Sequence, residues 1–192
     1  MQSVNARPDM IPCTSFDELL VIELDTGVRY EMWGGYARRM EGDMPPSNSA
    51  NASLIAMNTM MAFWNRLSKP YQKRVNARVP LGENDYHYAD ALVAQSCDDF
   101  DEDGCRAPLL IASVQSPEDG SVFRRPRPDD CIALPSLLYH LTLMEERMEI
   151  VFRSRETGFR PTIYGEGASL AFPEFRISVP VDEFYERIDL QE

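Results

Sequence analysis

Tyr86-His87-Tyr88-Ala89-Asp90-Ala91-Leu92-Val93, followed by Leu109-Leu110-Ile111-Ala112-Ser113-Val114-Gln115, decides the fold. The second run is almost continuously apolar, which is the pattern of a strand buried on both faces in the middle of a sheet. The first is strand-like but carries an acid. A period of two puts Ala89, Ala91 and Val93 on one face and Asp90 on the other. Burying a carboxylate is costly unless something compensates the charge. A hydrogen-bond network, an arginine or a divalent metal would each do so.

Outward from this pair the chain alternates short elements. Thr14-Ser15-Phe16-Asp17-Glu18 reads as a helix start, with a hydroxyl cap and acids in the first turn. Val28 to Trp33 and Tyr36 to Met40 read as strands joined by the turn signal Gly34-Gly35. Glu41 to Asn48, with Gly42, Pro45 and Pro46, reads as a loop. Ser49 to Leu67 is the strongest helix, stopped by Pro70, and Leu54, Met57, Met61 and Trp64, widened by Met60 and Phe63, mark its expected core face. Arg74 to Pro80 reads as a strand. Leu137 to Leu143 and Met148 to Arg153 read as a hairpin across Glu145-Glu146. Shorter strands are expected at Phe159 to Tyr164 and Glu174 to Val179, and a last helix runs from Pro180 to about Ile188. The predicted fold is α+β (or α/β), with a mixed central sheet and the long helix on one face. Residues 1–13 are expected to be a flexible arm and residues 14–192 one domain, a size that suits one core.

Nineteen Lys and Arg against 31 Asp and Glu give a net charge of −12, which repels phosphate backbones and favours basic partners. Direct nucleic-acid binding is therefore not expected, although Arg124, Arg125 and Arg127 form one cationic cluster and Lys69, Lys73, Arg74 and Arg78 another. No apolar run is long enough to cross a bilayer and no secretory leader is visible, so a cytoplasmic location is expected. Cys13, Cys97, Cys105 and Cys131 are irregularly spaced, and His87 and His140 lie far apart. This is neither a zinc pattern nor a disulfide framework.

The order of motifs resembles a widespread bacterial family of restriction-endonuclease-like proteins with the PD-(D/E)XK nuclease fold. The matching residues are Tyr30-Glu31 with Gly35, Asn58 in the long helix, and Asp90. Further on they are Val114 with Ser116-Pro117, Pro135-Ser136-Leu137 with Tyr139, and Phe184-Tyr185. The resemblance spans roughly residues 15 to 190. It implies an Asp and a Glu on adjacent strands that hold a divalent metal, with a lysine assisting the attacking water.

Carried over, the Asp falls on Asp90, preceded by Ala89 instead of proline, and the Glu falls on Ser113. A serine hydroxyl is a poor Mg²⁺ ligand. The following segment has no lysine. Arg127 is nearest by count, lies between Pro126 and Pro128, and cannot act as a base. Asn51-Ala52 stands where the family has a histidine. Glu31 is retained, so a metal held by Glu31 and Asp90 is the alternative if the site is active, with Mg as the cofactor; otherwise no cofactor is expected.

Asp98, Asp99, Asp101, Glu102 and Asp103 form the densest acidic group. They contain the first half of a calcium loop, but its twelfth position is Leu110 and no incoming helix is predicted. They also suit docking on a basic groove. The leading expectation is a catalytically degenerate nuclease fold reused as an acidic binding or inhibitor protein. Its partner would be a basic nucleic-acid-binding protein or complex, as in phage–host conflict of the anti-CRISPR or nucleic-acid-mimic type. A metal-dependent endonuclease and a non-catalytic structural or regulatory subunit are the alternatives. The Gly34-Gly35 hairpin and the Met-rich helix are each able to support a homodimer.

Overall fold

The computed structural model describes residues 10–39, 50–82, 85–115 and 128–190. In chain order, β1 (Met10–Pro12) is followed by α1 (Phe16–Thr26) and by the hairpin of β2 (Tyr30–Trp33) and β3 (Tyr36–Arg39). The long helix α2 (Ala50–Trp64) leads to the antiparallel pair β4 (Gln72–Pro80) and β5 (Tyr86–Ala94). A small ribbon, β6 (Phe100–Asp101) and β7 (Gly104–Cys105), precedes β8 (Pro108–Gln115). After α3 (Pro128–Ile132) come β9 (Tyr139–Met144), β10 (Glu149–Ser154) and β11 (Thr162–Gly165). The ribbon of β12 (Ser169–Phe172) and β13 (Ile177–Pro180) and the short helix α4 (Val181–Phe184) close the described chain.

The main sheet runs β1-β3-β2-β5-β8-β9-β10-β11, with β4 along the other side of β5. Every pairing is antiparallel except β8 with β9, which makes the sheet mixed. The expected α+β class with a mixed sheet and a long helix on one face is what the chain adopts.

Local chemistry sets the element ends. Ser15 Oγ caps α1 by accepting the Glu18 amide, and Glu18 returns its carboxylate to the Thr14 amide. Such a cap is worth about 1 kcal/mol. Gly27, with φ 67°, ends the helix in the left-handed region. Gly34 and Gly35 both have positive φ, as a tight two-residue hairpin demands. Arg78 ties α1 to the sheet, reaching Glu23 at 2.9 Å and the Tyr88 hydroxyl at 2.9 Å.

Three expectations are corrected. Met10–Pro12, read as part of a loose arm, is an edge strand paired with Tyr36–Arg38, and Cys13 is fully buried; residues 1–9 lie outside the described residues. The core face of α2 keeps the expected Met60 and Phe63 but otherwise lies on the opposite side. Ala52, Ile55, Thr59, Ala62 and Phe63 pack inward, whereas Met57, Met61 and Trp64 are exposed at 59%, 51% and 59%. The helix carries two apolar stripes about 200° apart, and the sheet takes the one with the branched and aromatic side chains. Finally, Ala89 does not share a face with Ala91 and Val93. Ala91 and Val93 pack in the core under α2, and Ala89 packs with Leu92 and Ala94 on the other side. The alternation slips at Asp90. The register sets Asp90 opposite Asn76, whose φ of 50° breaks the neighbouring strand at the same level.

Smaller differences follow from local geometry. α2 ends at Trp64, several residues before Pro70, and α4 is only a single turn. Phe159 has φ 58° and sits in a turn, and the strand expected there begins at Thr162. The loop expected over 41–48 and the cluster Arg124, Arg125 and Arg127 lie outside the described residues. No helix among the described residues is long and apolar enough to cross a membrane.

Gly104 has φ 130°, and a Cβ there would run into the backbone carbonyl of Arg78. Both the dihedral and the contact exclude a side chain, so Gly104→Ala should cost about 1–3 kcal/mol, measured by denaturant unfolding.

Candidate functional site

The face of the sheet opposite α2 carries a row of buried polar side chains. Glu31 on β2, His87 on β5, Ser113 on β8 and His140 on β9 are exposed at 7%, 1%, 8% and 3%. β8 alternates cleanly: Leu110, Ala112 and Val114 face α2, while Ile111 and, by alternation, Ser113 face away. His140 lies beside Ile111 in the register of β9. α3 covers this face, with Cys131 packed against Ala89, Leu92 and Ile111.

Three of these groups form a chain. Glu31 Oε1 accepts from His87 Nδ1 at 3.0 Å and from the Tyr88 amide at 3.3 Å. An ionised carboxylate only accepts, so this bond places a proton on Nδ1. His87 Nε2 then faces Ser113 Oγ at 3.4 Å. Asp90 is engaged separately: its carboxylate accepts the Val114 amide at 2.6 Å. A short bond from a backbone amide is one of the compensations a buried acid requires.

The order carboxylate, imidazole, hydroxyl is that of a charge relay. The second half of such a site is absent among the described residues. The amide following Ser113, where an oxyanion donor would stand, is committed to Asp90, and the hydroxyl is nearly closed off.

The structure therefore gathers Glu31 and Ser113 through His87. It brings Asp90 to β8 at the amide of Val114, the residue after Ser113. Among the described residues no three His, Cys, Asp or Glu side chains come close enough to hold a metal ion together. The donor set is also one carboxylate short of the pair that the resemblance implies. Ser113 brings no charge, while Glu31 accepts from His87 and an amide and Asp90 accepts from an amide. Ser116-Pro117 and Arg127 lie outside the described residues.

His87 and His140 were missed as partners because their sequence separation hides that β5, β8 and β9 are neighbours. The available signal was a histidine inside each of two apolar strand runs. His140 Nδ1 is buried with no hydrogen-bond partner among the described residues. Burial, then the Arg153 guanidinium and His87, push its pKa down to about 3. Burial, then Asp130 and Glu31, push the Cys131 thiol up to about 12, so it stays protonated. All four cysteines are free thiols.

The acidic group lies apart from this row, on the 97–105 segment. Asp99 caps its own turn through the Ser96 amide at 2.8 Å. Asp101 and Asp103 both pair with Arg106. Asp98 and Glu102 are exposed and carry no ion pair among the described residues. The calcium half-motif is thus spent on the loop's own hydrogen bonds and on an arginine. Asn58 holds two elements together. Its amide donates to the Phe184 carbonyl at 3.3 Å and the Glu186 carbonyl at 2.8 Å, tying α2 to the end of α4.

No family model matches the chain, and no curated protein matches it in sequence. Among solved structures it is similar to a crystal structure from Anabaena variabilis ATCC 29413, described as “a putative nuclease belonging to DUF820”. The likeness has a TM-score of 0.62 at 13% identity and covers 83% of this chain and 90% of that one. Identity that low shows the fold alone, and the fold is nuclease-like.

Two outcomes follow. Replacing Asp90 by Leu removes the carboxylate that the Val114 amide donates to and should cost about 1–3 kcal/mol, whereas Asp90→Asn keeps an acceptor and should cost less; equal losses in the two variants would mean that the charge itself is structural. His140 sets a pH dependence. Below about 6.5 the unfolded chain binds a proton that the folded chain refuses until about pH 3. Its contribution is therefore complete above 6.5 and declines as pH falls through that window. Acidification should cost the parent more stability than His140→Leu, read by denaturant unfolding across the window.

Proposed function

We propose that this chain is a nuclease-fold protein of the PD-(D/E)XK type that does not cut by a metal-dependent route and acts by binding. One observation carries the reading. Ser113 stands where the resemblance requires the second carboxylate, and its hydroxyl faces His87, which is itself bonded to Glu31. In-line phosphodiester hydrolysis needs charge opposite the phosphate, and this row supplies a neutral hydroxyl in its place. In this reading Asp90 and Glu31 are remnants that hold the sheet together.

The net charge of −12 supports a basic partner, such as a nucleic-acid-binding protein or complex, over nucleic acid itself. An inhibitor of a nucleic-acid-handling defence complex is one protein of that description. Within the acidic loop, Asp98 and Glu102 are the residues suited to meet the partner. Asp99, Asp101 and Asp103 shape the loop.

The test is incubation of the purified chain with plasmid, linear and single-stranded DNA in Mg²⁺ or Mn²⁺. No cutting is expected, and Ser113→Glu alone should not introduce it. Metal-dependent cutting that disappears in Asp90→Ala would overturn the proposal.

A further inference from the structure

Cys105 and Cys131 are fully buried in one apolar cluster with Ala89, Leu92 and Ile111, and burial pushes both thiols up to about 12. What covers them differs. Cys105 belongs to the β6–β7 ribbon, where it pairs with Phe100, and the next amide, that of Arg106, donates to the Asp99 carbonyl at 2.8 Å. Cys131 belongs to α3, a helix of five residues. Among the described residues, no hydrogen bond or ion pair joins Asp130, Cys131 or Ile132 to another element. The chain is fastened again from Leu134 onward. Arg155 donates to the carbonyls of Leu134 and Pro135, Ser136 Oγ donates to the Pro108 carbonyl at 2.8 Å, and Leu137 is fully buried.

Seating α3 on the sheet also strands polar atoms. Asp130 Oδ2 on the helix, and His140 Nδ1 on β9, against which the helix packs, are both buried without a hydrogen-bond partner among the described residues. Water would satisfy each of them if the helix lifted, so hydration works against the closed form. A short element held by a few apolar contacts and carrying unsatisfied polar groups is the kind that opens ahead of the rest of a structure.

We propose that α3 is a lid that opens without unfolding of the sheet, hinged at residues 133–135, and that its opening uncovers the row of Glu31, His87, Ser113 and His140. The side chains of that row stay bonded to one another across β2, β5 and β8, none of which belongs to the lid. The inference does not rest on the proposed lack of cutting.

The test is pulsed alkylation of the full native chain with N-ethylmaleimide, mapped peptide by peptide, so that every cysteine is timed in the same sample. Cys131 should react at least about tenfold faster than Cys105, because it needs local opening alone. Its rate should hardly change over low urea concentrations, whereas that of Cys105 should climb as global unfolding does. Asp130→Ala and His140→Leu each remove one stranded atom, so each should slow Cys131 about fivefold or more relative to Cys105. Loss of the Asp130 charge by itself favours the neighbouring thiolate and would speed the reaction, so slowing in that variant reports closure. Equal rates for Cys131 and Cys105 in the parent chain, or one urea dependence shared by both, would overturn the inference whether or not the variants fold. So would a Cys131 rate that either folded variant leaves unchanged.

Discussion

All nine residues of β5 are buried, so every polar atom on that strand must find a partner inside the protein. That requirement organises the centre of the molecule. His87 finds Glu31 from β2, and Asp90 finds an amide of β8. Ser113 is small and neutral, which suits a position whose neighbour is already one half of a carboxylate–imidazole pair. A glutamate in its place would add a second carboxylate to a low-dielectric row with a single imidazole between the two. Ser113 and His87 therefore fit together: the hydroxyl adds no charge, and the imidazole partners the buried acid.

Much of the fold was legible in the chain. Ser15, Gly27 and the pair Gly34-Gly35 announce their turns through conformational chemistry that acts over a few residues. β5 and β8 announce themselves by composition. The choice of face on α2 was not legible, because the stripes 52-55-59-62 and 54-57-61-64 share one spacing and only the sheet decides between them. The slip at Asp90 depends on Asn76 in another strand, which no local period reveals. The ribbon of β12 and β13 was only half visible, since Ser169–Phe172 is too short to display an alternation. Glu31, Asp90 and Ser113, which the resemblance singled out, all lie at or beside the buried polar row. The two histidines join that row through strand order, a property of the whole sheet. Arg106 was the one nearby clue passed over: it lies within five residues of both acids it neutralises.

The packing of this sheet is separate from its polar row. The large aromatic cluster around Phe63, Tyr139, Phe152 and Phe172 lies on the α2 side of the sheet, away from Ser113. It supplies packing that does not depend on what the opposite face carries. The polar row is thus free to change as long as each buried acceptor and donor keeps a partner.

The margins of the sheet have a consequence of their own. β1 is three residues long and ends in Pro12, which has no amide hydrogen to offer, and β11 is only four residues long. The third margin, β4, carries Lys73, Arg74 and Arg78. Short, proline-bearing or cationic borders are poor templates for another strand. Side-by-side annealing of such sheets into fibrils is thus disfavoured at each described margin.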